Sequence, residues 1–215
     1  MILPKLHYIS QGTTPKEHLE NIQKACTSGA ELVQLRLKNL SEKKILKIAL
    51  EAREITSHYQ TRLIINDHYK IAREVKADGV HLGKTDTCPT IARKNLYSWQ
   101  IIGGTANTLQ DAKVLLQKEV NYIGLGPYRF TTTKDNLCPV LGLNGYTLIT
   151  EALNTETPII GVGGISTEDV TAILKTGIYG VAVATTITRD FNSIKVLNKL
   201  LNASATEEMR HTFKQ

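Results

Sequence analysis

Three hydroxyls and an ammonium, Thr131-Thr132-Thr133-Lys134, follow a short apolar run, Tyr122–Leu125, that Gly126-Pro127 cuts off. Hydroxyl donors, loop amides and one lysine at that spacing make a receptor for an anion, most economically a phosphate or pyrophosphate. A solvated loop also collects threonines, so the segment alone leaves both readings open. A second polar set sits in Gln34-Leu35-Arg36-Leu37-Lys38, where period-two alternation puts Gln34, Arg36 and Lys38 on one face. Directed into an enclosed site, these side chains are costly without an anionic or hydrogen-bonding ligand. Asp67, closing Ile64-Ile65-Asn66-Asp67, and Asp86, following Val80-His81-Leu82-Gly83, add two carboxylates. Oxygen ligands of this kind suit Mg²⁺ shared with a substrate phosphate, although capping and ion pairing are the commoner fates of an aspartate. His81 is expected in the core or behind the site. Gly163-Gly164 within Gly161–Ser166, and Ala184-Thr185 within Val183–Thr186, offer backbone amides that glycine lets a phosphate approach closely.

The elements that must position these residues alternate along the chain. Short β-branched runs at Leu6–Ile9, Leu32–Leu37, Arg62–Asn66, Gly79–Leu82, Ile101–Gly104, Tyr122–Gly126, Ile159–Gly163 and Gly180–Ala184 read as eight strands. Amphipathic stretches at Lys16–Ser28, Ser41–Tyr59, Leu109–Lys118, Tyr146–Leu153 and Thr167–Thr176 read as helices, with a short one near Tyr69–Val75. Strands apolar along their length and separated by helices imply a parallel sheet covered on its face. Eight such units in 215 residues fit an α/β fold closed as a single (β/α)₈ TIM barrel spanning 1–215, with the polar end 203–215 expected to fray. The open doubly wound alternative lacks its Gly-rich turn after the first strand. Ser166-Thr-Glu-Asp169 is a good helix start, and Gly29, Gly79 and Gly177 are expected where helices turn back. In such a barrel, chemistry collects at the carboxyl ends of the strands, where all the residues above fall. The layout then has two anion sites: a monophosphate cup after strands seven and eight, and a pyrophosphate–Mg²⁺ site at strands two to four.

Composition narrows the partners. The net charge is +6, but the basic residues are dispersed and aromatics make up only 6%, so nucleic acid is not expected. No apolar run reaches membrane-spanning length, and Met1–Tyr8 has no signal-peptide pattern, so a cytoplasmic location is the default. Cys26, Cys88 and Cys138 have no metal-type spacing; Cys26 reads as core and the other two as loop cysteines. A homodimer is left open.

Six segments, Gln34–Lys38, Ile64–Asp67, Asp78–Gly83, Tyr122–Pro127, Thr131–Lys134 and Gly163–Ile165, stand in the order of the thiamine-phosphate synthase family, which this chain resembles over nearly its whole length. The resemblance implies a transferase of thiamine biosynthesis. It would couple 4-amino-2-methyl-5-hydroxymethylpyrimidine diphosphate to 4-methyl-5-(2-phosphooxyethyl)thiazole, or its carboxylated form, and release pyrophosphate. It further implies that Gln34, Arg36, Lys38, Asn66 and Lys134 hold the pyrimidine diphosphate, with Arg36, Lys38 and Lys134 stabilising the leaving group. Asp67 and Asp86 would ligate Mg²⁺. Thr131 and Thr133, with Gly163, Gly164, Ala184 and Thr185, would hold the thiazole phosphate. The reaction implied is dissociative, without a protein nucleophile.

The chain departs from the family pattern at Leu37, where an acid is common, and at Thr132, where a proline is common. It has Thr105 and Asn107 where the family shows serine and histidine after strand five, and Thr185 in place of a serine. Thr105 keeps the hydroxyl and stays among the candidate substrate contacts. A thiazole tautomerase of the same fold is the alternative, but it would use a histidine where Asn107 stands and generally lacks the threonine–lysine loop. Another phosphate-binding barrel would not explain Asp67 with Asp86. A ligand-sensing paralogue would not need Lys134 and both acids.

Overall fold

The computed structural model describes residues 2–130 and 139–212. Eight parallel strands close into a barrel in sequence order: β1 (Leu6–Ile9), β2 (Leu32–Leu35), β3 (Arg62–Asn66), β4 (Gly79–Leu82), β5 (Ile101–Ala106), β6 (Tyr122–Leu125), β7 (Ile159–Val162) and β8 (Gly180–Val183). The expected α/β barrel is thus present. β2, β6, β7 and β8 stop one or two residues before the expected ends, because the polar and glycine residues there leave the ladder to form the rim. β5 runs two residues further, through Thr105 and Ala106.

Helices α1 (Pro15–Thr27), α2 (Glu42–His58), α3 (Tyr69–Glu74), α5 (Leu109–Gln117) and α6 (Gly142–Leu153) alternate with the strands as expected. The stretch read as one helix over Thr167–Thr176 is a 3-10 turn, Thr167–Asp169, followed by α7 (Val170–Leu174). α4 (Pro89–Asn95), α8 (Thr185–Arg189) and α9 (Ser193–Thr212) are further helices that the periodicity reading did not include. α9 carries Ile194, Leu197 and Leu201 at helical spacing, all buried against the core. The backbone is helical to Thr212, inside the segment expected to fray.

Alternation along each strand divides two cores. Tyr8, Val33, Leu63, Val80, Ile102, Ile123 and Val181 face the helices, while Leu32, Ile64, Ile101, Tyr122, Ile160 and Ala182 pack with one another inside the barrel. Ser166–Asp169 starts a helical turn as expected, the Ser166 amide and Oγ both donating to the Asp169 carboxylate at 2.9 and 2.8 Å. Gly29 and Gly177 take φ of +93° and +84° behind their helices, where a side chain would be strained. Gly79 differs from expectation: Lys76 takes the left-handed position after α3, and Gly79 opens β4 where an added Cβ would strike the Ile101 carbonyl. No helix among the described residues is long and apolar enough to cross a membrane.

Candidate functional site

Every strand contributes to one cavity of about 540 Å³ at the carboxyl end of the barrel. Gln34, Arg36, Lys38, Asn66, Asp67, Asp86, Thr105, Gly163, Gly164, Ala184 and Thr185 all line it, so the fold brings together residues spread over most of the chain. Thr131, Thr133 and Lys134, like Cys138, lie outside the described residues. Phe130 and Val140, on either side of that segment, line the cavity.

The acidic side is built on the rims of β3 and β4. Asp67 takes φ of +65°, and its amide donates to the His81 carbonyl at 2.8 Å, which turns the chain sharply at the strand end. Its carboxylate meets Lys38 Nζ at 2.5 Å. Asp86 accepts the Gly83 amide at 2.6 Å and lies within hydrogen-bond contact of Asp67. Burial and the neighbouring Asp67 push the Asp86 carboxyl above the ordinary range. Burial also works against ionisation of Asp67, but its bonds from Asp86 and Lys38 outweigh that and hold it below the range. Two carboxylates turned on each other form an oxygen donor set that suits a hard divalent ion. Among the described residues no group of three or more His, Cys, Asp or Glu is placed to hold a metal, so such an ion would draw its other oxygens from substrate and water. Asp67 is therefore an ion-pair partner and a candidate metal ligand at once.

The floor is aromatic and hydrogen-bonded. His81 and Tyr122 stack with ring centroids 5.6 Å apart. His81 Nδ1 meets the Tyr122 hydroxyl at 3.1 Å, and its Nε2 meets Thr105 Oγ1 at 2.9 Å. Register explains the stack: Gly103 of β5 pairs with His81 on one side and Tyr122 on the other, and any Cβ there would run into the Tyr122 ring. Gln34 reaches Tyr122 from across the barrel. His7, packed edge-on against Tyr122, is wholly buried, and that burial pulls its pKa down to about 4. Sequence reasoning placed His81 in the core or behind the site and missed Tyr122 and His7. The signal available was parity with Gln34, Asn66 and Thr105 on strands known to face inward.

The opposite rim is a cup. Gly163 and Gly164 take φ of +100° and +68°, and a Cβ on Gly163 would lie 2.7 Å from that of Pro127. Arg129 ties the cup down, donating to the Gly164 carbonyl at 3.1 Å and to Asp169 at 2.8 Å. Thr186 Oγ1 donates to the Ile165 carbonyl at 2.8 Å, joining the ends of β7 and β8. Thr185 Oγ1 accepts from Gln11 Nε2 at 3.2 Å. Asn107 Nδ2 donates to the Gly126 carbonyl at 2.5 Å, bracing the start of the β6 loop.

The thiamine monophosphate synthase family model matches residues 6–187, which include every candidate residue named above. The chain belongs to the thiamine monophosphate synthase family. Relatives in the family include the thiamine-phosphate synthase of Flavobacterium psychrophilum, 43% identical over 91% of this chain and 97% of its own length. That of Bacteroides fragilis is 38% identical over 92% of this chain and 98% of its own. The solved thiamine phosphate pyrophosphorylase of Pyrococcus furiosus superposes with a TM-score of 0.79 at 28% identity, covering 94% of this chain and 96% of that one.

Proposed function

We propose that this chain is a thiamine-phosphate synthase: it joins 4-amino-2-methyl-5-hydroxymethylpyrimidine diphosphate to 4-methyl-5-(2-phosphooxyethyl)thiazole, or its carboxylated form, and releases pyrophosphate. The observation that carries the reading is one cavity with Arg36, Lys38 and the acid pair on one rim and the Gly163–Gly164 cup on the other. Two anionic groups at opposite ends of one cavity leave the two rings facing each other over its floor.

Arg36, Lys38 and Asn66 bind the diphosphate, and Lys134 joins them from the β6 loop. As the bond from the pyrimidine methylene carbon to the diphosphate oxygen breaks, its electron pair leaves with the diphosphate, and these cations meet the charge that develops. Asp67 and Asp86 would hold Mg²⁺, which supplies further charge neutralisation to the departing group when bound. Lys38, paired with Asp67 in this structure, turns to the substrate diphosphate when that group arrives. The thiazole nitrogen then attacks the methylene cation, so no protein nucleophile is required. Gln34, Tyr122, His81 and Thr105 offer a neutral hydrogen-bonding floor for a planar heteroaromatic ring. The Gly163, Gly164, Ala184 and Thr185 backbone, with Thr131 and Thr133, binds the thiazole phosphate. Asn107, committed to the Gly126 carbonyl, does not act as the acid–base group a tautomerase needs.

The test is direct. Purified protein mixed with both substrates and Mg²⁺ forms thiamine phosphate, measured by chromatography; EDTA abolishes it and Asp67→Ala reduces it by at least a hundredfold. Thiazole isomerisation without coupling would overturn the proposal.

A further inference from the structure

Behind the cavity wall, two buried polar residues of α1 serve no purpose described so far. His18 and Asn21 are 9% and 6% exposed, sit three residues apart on one helix face, and do not line the cavity. Both grip the loop after β1. His18 Nδ1 meets Ser10 Oγ at 2.9 Å, and Asn21 Nδ2 donates to the Gln11 carbonyl at 2.9 Å. That loop touches both rims: the Arg36 amide donates to Ser10 Oγ at 3.1 Å, and Gln11 Nε2 donates to Thr185 Oγ1 at 3.2 Å.

At the Ser10 end, Ser10 Oγ accepts from the Arg36 amide and is hydrogen-bonded to His18 Nδ1. The His18 ring donates to the Gly12 carbonyl, and burial favours its neutral form. Gly12 lies directly on the helix, where a Cβ would stand 2.8 Å from the His18 amide nitrogen, so the loop packs closely against α1.

We propose that His18 and Asn21 are positioning residues for the two anion sites: His18 sets Arg36 through Ser10, and Asn21 sets Thr185 through Gln11. The inference rests on the reading of Arg36 and Thr185 as anion contacts given above. One loop, locked to one helix, thereby fixes the distance between the two rims.

Calorimetric titration of the whole protein in Mg²⁺ tests this without turnover. Pyrophosphate reads the Arg36 rim, and inorganic phosphate added to pyrophosphate-saturated protein reads the cup. His18→Leu is expected to weaken pyrophosphate about five- to tenfold, the size of one positioning hydrogen bond, and to leave phosphate within about twofold. Asn21→Leu is expected to show the reverse pattern. His18→Asn, which keeps a hydrogen-bonding group near the Nδ1 position, restores pyrophosphate affinity, and His18→Leu has no further effect in an Arg36→Ala background. Should His18→Leu fail to fold, Ser10→Ala carries the same expectation. Equal losses for both anions, or none, would overturn the inference while Arg36→Ala still weakens pyrophosphate. If Arg36→Ala also has no effect, the anion-site reading falls with it.

Discussion

Replacing Gly163 by alanine tests whether the cup is shaped by backbone that only glycine adopts. Gly163 has φ of +100°, and an added Cβ would lie 2.7 Å from the Pro127 Cβ and 2.9 Å from its Cα. Holding an L-residue in left-handed backbone costs about 1–2 kcal/mol. Overlap with Pro127, backbone and ring together, adds about 1–3 kcal/mol because neither partner is a flexible side-chain end. The sum, about 2–5 kcal/mol, corresponds to a fall of roughly 5–15 °C in Tm for a chain of this size. Gly29 is the matched control: its φ is +93°, but nothing lies within 4 Å of an added Cβ. Gly29→Ala should therefore show the strain alone, roughly 3–6 °C, with thiamine phosphate formation unchanged. Thermal unfolding followed by circular dichroism, with coupling rates on the same samples, separates the two. Gly163→Ala melting no lower than Gly29→Ala, with full coupling activity, would refute the reasoning about the cup.

Three further outcomes follow from the site. Lys38→Met removes the 2.5 Å partner of Asp67, but Lys38 is half exposed, so stability should change by no more than about 1 kcal/mol while pyrophosphate affinity falls at least tenfold. Chemical denaturation and calorimetry measure the two effects. Tyr122→Phe deletes the hydroxyl between His81 and Gln34, and coupling should fall by about tenfold in kcat/KM, read by steady-state kinetics, with the barrel still folded. His7 gives a pH signature. Its folded pKa of about 4 lies below the ordinary 6.5, so the unfolded chain binds the extra proton and the stability contribution, fully present above pH 6.5, is lost as pH falls toward 4. That amounts to about 2 kcal/mol between pH 7 and pH 5, and urea titrations should show this slope diminished in His7→Gln.

The barrel was legible because its strands are short contiguous apolar runs set apart by longer amphipathic stretches, a local pattern that needs no partner to be seen. Gln34, Arg36 and Lys38 were legible from local backbone geometry too: parity alone puts them on the face of Leu32. α4 and α8 were not, since α4 buries only Pro89 and Ala92 and α8 only Ile187, too few apolar side chains to mark a face. His81 was placed in the core or behind the site because a histidine in an apolar strand usually lies there. Only the register, with Gly103 between His81 and Tyr122, shows that both rings stack into the cavity floor.

From its residues alone the chain determined the eight-fold alternation, the inward faces and the inventory of candidate anion-binding groups, because these depend on neighbours in sequence and on fixed backbone periods. Only tertiary structure decided that Asp67 leans on both Lys38 and Asp86, that Arg129 ties the cup to Asp169, and that α1 grips a loop bonded to both rims. Apart from the two bonds from α1 to its own loop, those contacts, and the loop's bonds to Arg36 and Thr185, join residues far apart in sequence, and closure of the barrel brings them within hydrogen-bond distance.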